Sequence, residues 1–228
     1  MKWRTGCMLW MGWAMVANAQ SDACHAPVSA QVNPNIPKGD FSAAVQLGNV
    51  PLTPTTIGFG ATANRADEIT LVDGRWIIVH HGKDKLDVRQ PNPQDGAVVL
   101  VTGSPMAWRE AGKIADIHSV SALDFALENA VEDMGCDEKA VVPFKLLGHA
   151  NRIKWSVATS PNSDREQTSQ DVEVVIVGIH TKTDKSRWRM AKGYNLHAHV
   201  YFPQTGLAGH LEEIDLQGSG TLYLPAAR

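Results

Sequence analysis

The chain has 228 residues, of which 43% are hydrophobic and 20% are charged, and its formal net charge is −3. This balance is typical of a globular protein with a full core and excludes a disordered chain. The sequence has no basic stripe and no interleaving of aromatic with basic residues, so nucleic acid is not an expected partner.

The first nineteen residues have the three parts of a secretory signal peptide. Lys2 and Arg4 form a positive n-region, an apolar stretch follows as far as Val16, and residues 17–19 (Ala-Asn-Ala) have the small-x-small form of a cleavage site. The apolar stretch is too short to span a bilayer as a mature helix. We expect residues 1–19 to be removed and the mature protein to be exported, periplasmic or secreted, without a membrane anchor. A cytosolic chain with an apolar N-terminus is the alternative.

Export changes the interpretation of the cysteines. Cys7 leaves with the signal peptide, whereas Cys24 and Cys136 remain. In an oxidising compartment these two could pair and tie an N-terminal arm, residues 20–38, to a single domain over residues 39–228. Two buried free thiols are the alternative.

Short β-like runs separated by turn residues dominate the chain from Phe41 onward. Asp73-Gly74 between two of these runs is a two-residue hairpin signal. The polar segment 160–170 predicts a surface loop. The predicted strands are 43–50, 68–72, 75–80, 97–102, 141–147, 153–159, 172–179, 195–202, 207–214 and 219–224.

One segment interrupts the β pattern. Between Ser119 and Met134 the apolar residues recur at helical spacing, Gly135 provides a stop, and Ser119 or Ser121 could cap the start. The whole pattern predicts an α+β fold, a β-rich domain of mixed or antiparallel sheet with one main helix at about 119–134.

Three histidines lie on a predicted late hairpin. If residues 203–206 form a four-residue turn, His199 stands directly opposite His210, and His197 shares their face because strand side chains alternate with period two. Imidazole nitrogens so placed can converge to about 2.0–2.1 Å from one zinc ion and leave coordination positions open, as in catalytic sites. The spacing predicts a divalent-metal site, zinc first, although Cu, Ni, Co and Fe also suit imidazole. Three structural histidines are the alternative.

The same register places Glu212 opposite His197, on the metal face. Glu212 could be a ligand, an acceptor for an imidazole N–H or a proton-transfer group. A solvated edge-strand carboxylate is an equally open interpretation.

The stretch GYNLHAHVYFPQTGLAGHLEEIDLQGSGTLYLP resembles the metal-binding hairpin of the α-acetolactate decarboxylase family, with the same intervals between its three histidines. Asn195 replaces a preceding histidine of that family. The segment GFGATANRADEITLVDGRW is similar to a second family motif, whose glutamate acts near the metal and maps to Glu68. The likeness covers about residues 38–225 and implies that His197, His199 and His210 hold the metal.

This resemblance implies a carboxy-lyase, which decarboxylates 2-acetolactate, a small 2-hydroxy-3-oxo acid, to acetoin with zinc as cofactor, in acetoin and butanediol biosynthesis. In the family the metal chelates substrate oxygens, loss of CO2 leaves an enediolate, and a carboxylic acid protonates carbon. The resemblance assigns proton delivery or water positioning to Glu68, with Glu212 as our hypothesised partner.

Two departures from the family pattern bear on the reaction. An ungapped match of the segment VVPFKLLGHANRIKWSVAT puts Ser156 where the family has an active-site arginine, and Arg152 and Lys154 are nearby cations that could bind the substrate carboxylate. The family also has a glutamate in a C-terminal tail with no counterpart before Arg228, and Glu212 is its hypothesised substitute.

Two other functions remain open at this stage. One is a zinc-dependent ester hydrolase of the same fold group, in which zinc-bound water is the nucleophile. The other is a non-catalytic exported module that binds a metal or a small acid. The sequence does not determine the oligomeric state, and a homodimer is compatible with it.

Overall fold

The computed structural model describes residues 23–83, 85–160, 163–188, 190 and 193–227, without the side chains of residues 159, 160, 163 and 164. The predicted signal peptide, residues 1–19, lies outside the described residues.

The first half of the chain forms an antiparallel sheet in the order β1-β7-β3-β4-β5-β6, and the short β2 also pairs with β7. Three short 3-10 turns, Ile36–Lys38, Leu47–Asn49 and Ala63–Arg65, lie between its strands. The strands are β1 (Val28–Val32), β2 (Val45–Gln46), β3 (Ile57–Thr62), β4 (Asp67–Val72), β5 (Arg75–His81), β6 (Leu86–Arg89) and β7 (Gly96–Gly103).

The second half forms another antiparallel sheet, in the order β10-β11-β12-β9-β13-β8. An additional pairing of β9 with β10 closes strands β9 to β12 into a ring. The strands are β8 (Trp108–Ala115), β9 (Val142–Ser160), β10 (Ser163–His180), β11 (Leu196–Tyr201), β12 (Ala208–Leu216) and β13 (Ser219–Pro225), and the helix α1 (Val120–Asp133) lies between β8 and β9.

The predicted fold class is confirmed, since antiparallel sheets with one principal helix make up the described residues. The Ser119 hydroxyl accepts a hydrogen bond from the Ala122 N–H at 3.1 Å, so Ser119 is the N-cap of α1. Leu123 and Leu127 are fully buried on one helix face. No helix in the described ranges is long and apolar enough to cross a membrane.

The segment 160–170, predicted to be a surface loop, was interpreted wrongly. Its residues from Ser163 onward form the first half of β10, which pairs with the second half of β9. The ladder with β9 holds the backbone of this segment as strand, while the side chains of Arg165, Glu166, Thr168 and Gln170 are exposed. The polar composition therefore correctly indicated exposed side chains, but it did not indicate whether the backbone forms a strand or a loop.

Four strands had no predicted counterpart, namely β1, β3, β6 and β8. All six residues of β3 are buried, so the strand lacks the alternation of apolar and polar residues that marks a half-buried strand in a sequence. Gly60 in β3 reflects close strand approach, because a Cβ there would lie 2.1 Å from the Val99 carbonyl oxygen of β7. The predicted strand 43–50 is reduced to Val45–Gln46, and the predicted strands 141–147 and 153–159 are one strand, β9.

Cys24 and Cys136 form a disulfide, which confirms the pairing alternative and ties the N-terminal arm to the segment after α1. The bond spans a sequence separation of 112 residues. Constraining a loop of that length in the unfolded chain stabilises a fold by about 4–5 kcal/mol in the chain-entropy model.

We expect the double variant Cys24→Ser/Cys136→Ser to lower the free energy of unfolding by about 4 kcal/mol, since the unfolded chain regains its loop entropy. Urea denaturation of the two proteins at the same pH measures the difference. The double variant leaves neither thiol to react, and equal transition midpoints would contradict the expectation.

His180, the last residue of β10, is 2% exposed, and its Nε2 has no hydrogen-bond partner among the described residues. Burial lowers the pKa of His180 to about 4, and the nearby Lys182 adds to this, whereas Glu128 opposes it. Asp124 Oδ1 lies 3.8 Å from His180 Nε2, and burial raises the pKa of Asp124. The contribution of Asp124 to stability therefore changes with pH in the opposite direction to that of His180.

A histidine with a lowered folded-state pKa contributes stability that is complete above its unfolded pKa of about 6.5 and is lost as the pH falls toward 4. We expect His180→Gln to reduce the acid loss of stability between pH 6.5 and 4.5 by about 2 kcal/mol. Urea midpoints at the two pH values, for wild type and variant, measure this. An unchanged pH slope would show that His180 does not titrate in this way.

Candidate metal centre

The hairpin of β11 and β12 has the predicted register. His199 pairs with His210, Val200 with Gly209 and Tyr201 with Ala208, which confirms the prediction. Gly209 reflects the close approach of β9, because a Cβ there would lie 2.4 Å from the Ser156 carbonyl oxygen.

Three imidazoles converge on one face of this hairpin. One ligand nitrogen from each of His197, His199 and His210 lies within 4.8 Å of the others, so the triad could hold a single metal ion. The ring centroids of His197 and His210 are 4.7 Å apart, and each lies 5.7 Å from that of His199. Phe59 of β3 stacks on His197 at 4.0 Å and limits the movement of that ring.

His199 is held in a form suited to metal binding. Its Nδ1 lies 2.8 Å from the Thr70 hydroxyl, and a bond donated by Nδ1–H would leave the lone pair on Nε2. Complete burial sets the pKa of His199 well below its ordinary value, and the charges of His210 and His197 lower it further. The imidazole is therefore neutral near pH 7, as a metal ligand must be.

Glu68 brings a buried carboxylate to the same place. Its Oε1 lies 3.3 Å from His199 Nε2, and its Oε2 accepts a hydrogen bond of 2.8 Å from the Ala158 N–H of β9. One oxygen is therefore held by the second sheet while the other faces the triad. The preceding Asp67 accepts from Arg89 at 2.6 Å and bonds His80 at 2.6 Å, which anchors this part of β4.

The triad opens into a cavity of about 380 Å³ between the two sheets, within the usual range for small-molecule sites. One part of its wall is polar and consists of the three histidines, Glu68, Ser156 and Arg65. The other part is mainly apolar and consists of Ile36, Phe41, Phe59, Gly60, Ala61, Val98 and Val99.

Glu212 does not lie opposite His197 as predicted. The pairing of β11 with β12 ends at His199 and His210, and β12 has a bulge between Leu211 and Glu213, so Glu212 is the unpaired, exposed bulge residue. Its Oε1 accepts a hydrogen bond of 2.7 Å from the Ser156 hydroxyl. Glu212 therefore contacts the cavity through Ser156, outside the ligand set.

Arg152 and Lys154 do not line the cavity either. Lys154 Nζ lies 3.1 Å from a Glu166 oxygen, and Arg152 Nη1 donates to Glu213 at 3.0 Å. Each two-residue step along β9 moves a side chain about 6.7 Å, so these two residues lie progressively farther from the Ser156 position. Their carboxylate partners on neighbouring strands hold them there.

Arg65 is a cavity residue that the sequence did not single out. It ends the turn Ala63–Arg65 between β3 and β4, and it has a positive φ of 49°. The feature of the sequence that could have indicated its role is its position three residues before Glu68, within the same motif.

Neither a protein-family model nor a characterised protein sequence matches this chain. Among solved structures, the α-acetolactate decarboxylase of Bacillus subtilis strain 168 superposes with a TM-score of 0.65 at 12% identity, over 86% of this chain and 85% of that chain. A protein of unknown function from Staphylococcus aureus, described as similar to that enzyme, gives 0.65 at 11% identity over the same shares. The fold is that of α-acetolactate decarboxylase. Because the identity is this low, the likeness establishes the fold and leaves the activity open.

Proposed function

We propose that this protein is a metal-dependent decarboxylase, which converts 2-acetolactate to acetoin with zinc bound by His197, His199 and His210. The observation that carries the proposal is the convergence of three imidazoles beside the buried carboxylate of Glu68, in a cavity of an acetolactate-decarboxylase-like fold. We also propose that the mature protein works outside the cytosol. The Cys24–Cys136 disulfide supports export, since such bonds persist in oxidising compartments.

The donor set fits a catalytic zinc ion. Three imidazole ligands leave coordination positions for substrate oxygens, as catalytic sites with three protein ligands do. When bound, the ion supplies a Lewis acid that stabilises negative charge on oxygen. The hydrogen bond between Thr70 and Nδ1 holds the ring of His199 in place, which is the role of an outer partner in such sites.

The reaction breaks the bond between C2 of the substrate and its carboxylate carbon. CO2 leaves, the electron pair passes into the adjoining ketone to give an enediolate, and one proton added to carbon completes acetoin. Glu68 is suited to supply that proton from Oε1, because Oε2 is held by the Ala158 N–H. The net reaction consumes one proton, so Glu68 must be reprotonated in each turnover.

The apolar part of the wall supports this chemistry. Ile36, Phe41 and Val98 contribute apolar surface to the cavity. Apolar lining lowers the local dielectric constant, which strengthens electrostatic interactions with the polar groups of the same wall.

Acetoin formation from 2-acetolactate tests the proposal, with the purified mature protein as isolated, after chelation and after zinc is restored. We expect activity that disappears with the chelator and returns with zinc. If no acetoin forms, and a small aryl ester is hydrolysed with the same dependence on zinc, the site belongs to an ester hydrolase. If neither substrate reacts, the cavity is a binding site without catalysis.

A further inference from the structure

We propose that Arg65 is the group that binds the carboxylate of the ligand, so that the cavity selects small monocarboxylates with short apolar substituents. The inference rests on the proposed function for the reaction that follows binding, but it concerns binding itself. It replaces Arg152 and Lys154, the two cations that the sequence offered as candidates for this task.

The turn that carries Arg65 is held in place on both sides. The Asn64 N–H donates to the Phe41 carbonyl oxygen at 2.8 Å, and Phe41 itself lines the cavity. At the base of the turn, the Asp67 N–H donates to the Thr62 hydroxyl at 2.9 Å. These bonds fix the backbone from which the Arg65 side chain reaches the cavity wall.

The charge of Arg65 is distinctive among the described residues that line the cavity. A guanidinium stays protonated under all ordinary conditions and can bind a carboxylate through two parallel hydrogen bonds. Among the other lining groups of the described chain, the acid Glu68 and the histidines are the only titratable side chains. A substrate carboxylate therefore has one permanent cationic partner in the wall.

The apolar part of the wall determines the rest of the ligand. Ala61 and Val98 are buried there, with Ile36 and Phe41 packed against them. Short alkyl groups fit this surface, whereas a second carboxylate would lose its hydration without gaining a partner. The combination points to a monocarboxylate with small alkyl substituents.

Binding of 2-hydroxy-2-methylpropanoate, an unreactive acid, and of its neutral amide tests the inference by calorimetry on metal-free and zinc-loaded protein. We expect wild type to bind the acid at least 10-fold more tightly than the amide, the energy of about one charge-assisted pair. In the metal-free protein, Arg65→Gln should remove this preference and Arg65→Lys should retain part of it. In the zinc-loaded protein the ion also attracts the carboxylate, so Arg65→Gln should reduce the preference there. Arg109→Gln, which removes an exposed arginine of β8, is the matched control and should bind as wild type does.

Equal affinity of wild type and Arg65→Gln for the acid, or no binding of the acid by wild type, would overturn the inference. Unchanged urea midpoints show that a variant has folded, and the Arg65→Lys protein provides the test if Arg65→Gln fails to fold. If wild type forms no acetoin but Arg65→Gln still loses its preference for the acid, the proposed reaction fails and the assignment of Arg65 stands.

Discussion

His199→Ala is expected to lower the affinity for zinc by more than about 100-fold, the upper end of what the loss of an outer partner costs, and to abolish acetoin formation. His199 is the fully buried member of the triad and stands directly opposite His210. Its removal leaves two imidazoles and an empty volume that water can enter. Competition titration with a coloured chelator measures the affinity, and the acetoin assay measures the activity.

Two further variants serve as comparisons for His199→Ala. Thr70→Val removes the hydroxyl that lies 2.8 Å from His199 Nδ1, and we expect a loss of zinc affinity of roughly 10- to 100-fold. His118→Ala removes an exposed histidine that pairs with Asp215 and should leave zinc affinity unchanged. If His199→Ala kept the zinc affinity of wild type, the triad would not be the metal site.

Glu68→Gln is expected to retain zinc and to lose activity by roughly 10²- to 10⁴-fold, the usual contribution of a positioned acid or base. The amide oxygen of glutamine can still accept the hydrogen bond from the Ala158 N–H, so the side chain keeps its position. What it cannot do is supply a carboxyl proton at the position of Oε1. Turnover number and bound zinc, determined on the same preparation, separate the two effects.

Glu212→Gln is the matched comparison for that variant. Among the described residues, the contact of Glu212 with the cavity runs through the Ser156 hydroxyl, so its loss should lower activity much less than the loss of Glu68. An activity of Glu68→Gln equal to that of wild type would remove Glu68 from the proposed chemistry. If Glu212→Gln changed neither activity nor zinc content, the hypothesis that Glu212 substitutes for a tail glutamate would be dropped.

The histidine triad was predictable because a hairpin is a local structure. A four-residue turn sets which residues pair, and the period of two then sets their faces, so His199 and His210 could be placed opposite each other from sequence distance alone. The helix was predictable for a similar reason, since its cap, its apolar period and its stop all lie within seventeen residues of Ser119.

The prediction for Glu212 was wrong because a bulge is not visible in the sequence. Regular alternation from His210 would place Glu212 on the same face as the histidines. Beyond His210, however, β12 pairs with β9 and has a one-residue bulge at Glu212, which breaks the alternation. Arg65 was missed for a different reason. Its position depends on how the turn between β3 and β4 folds against Phe41, a contact across more than twenty residues.

The long strands show the limits of composition. Residues 165–170 are polar and mostly exposed, and the β9 ladder still holds them as strand. In β3 the opposite holds, since complete burial removes the alternation and two glycines weaken the β signal. β3 is fixed by its pairing with β7, a distant segment that no local pattern reports. Residues 163–170 instead pair with the neighbouring residues 152–160, and their polar composition hid a local hairpin.

The metal content of the purified mature wild type is the most direct test of the central claim that the triad of His197, His199 and His210 is a metal site. The protein would be incubated with zinc, freed of unbound ion and analysed for metal per chain, beside the triple alanine variant of the triad. The structure predicts one zinc ion per wild-type chain and none held by the variant. A wild type without stoichiometric metal, or a triple variant that retains it, would contradict the claim.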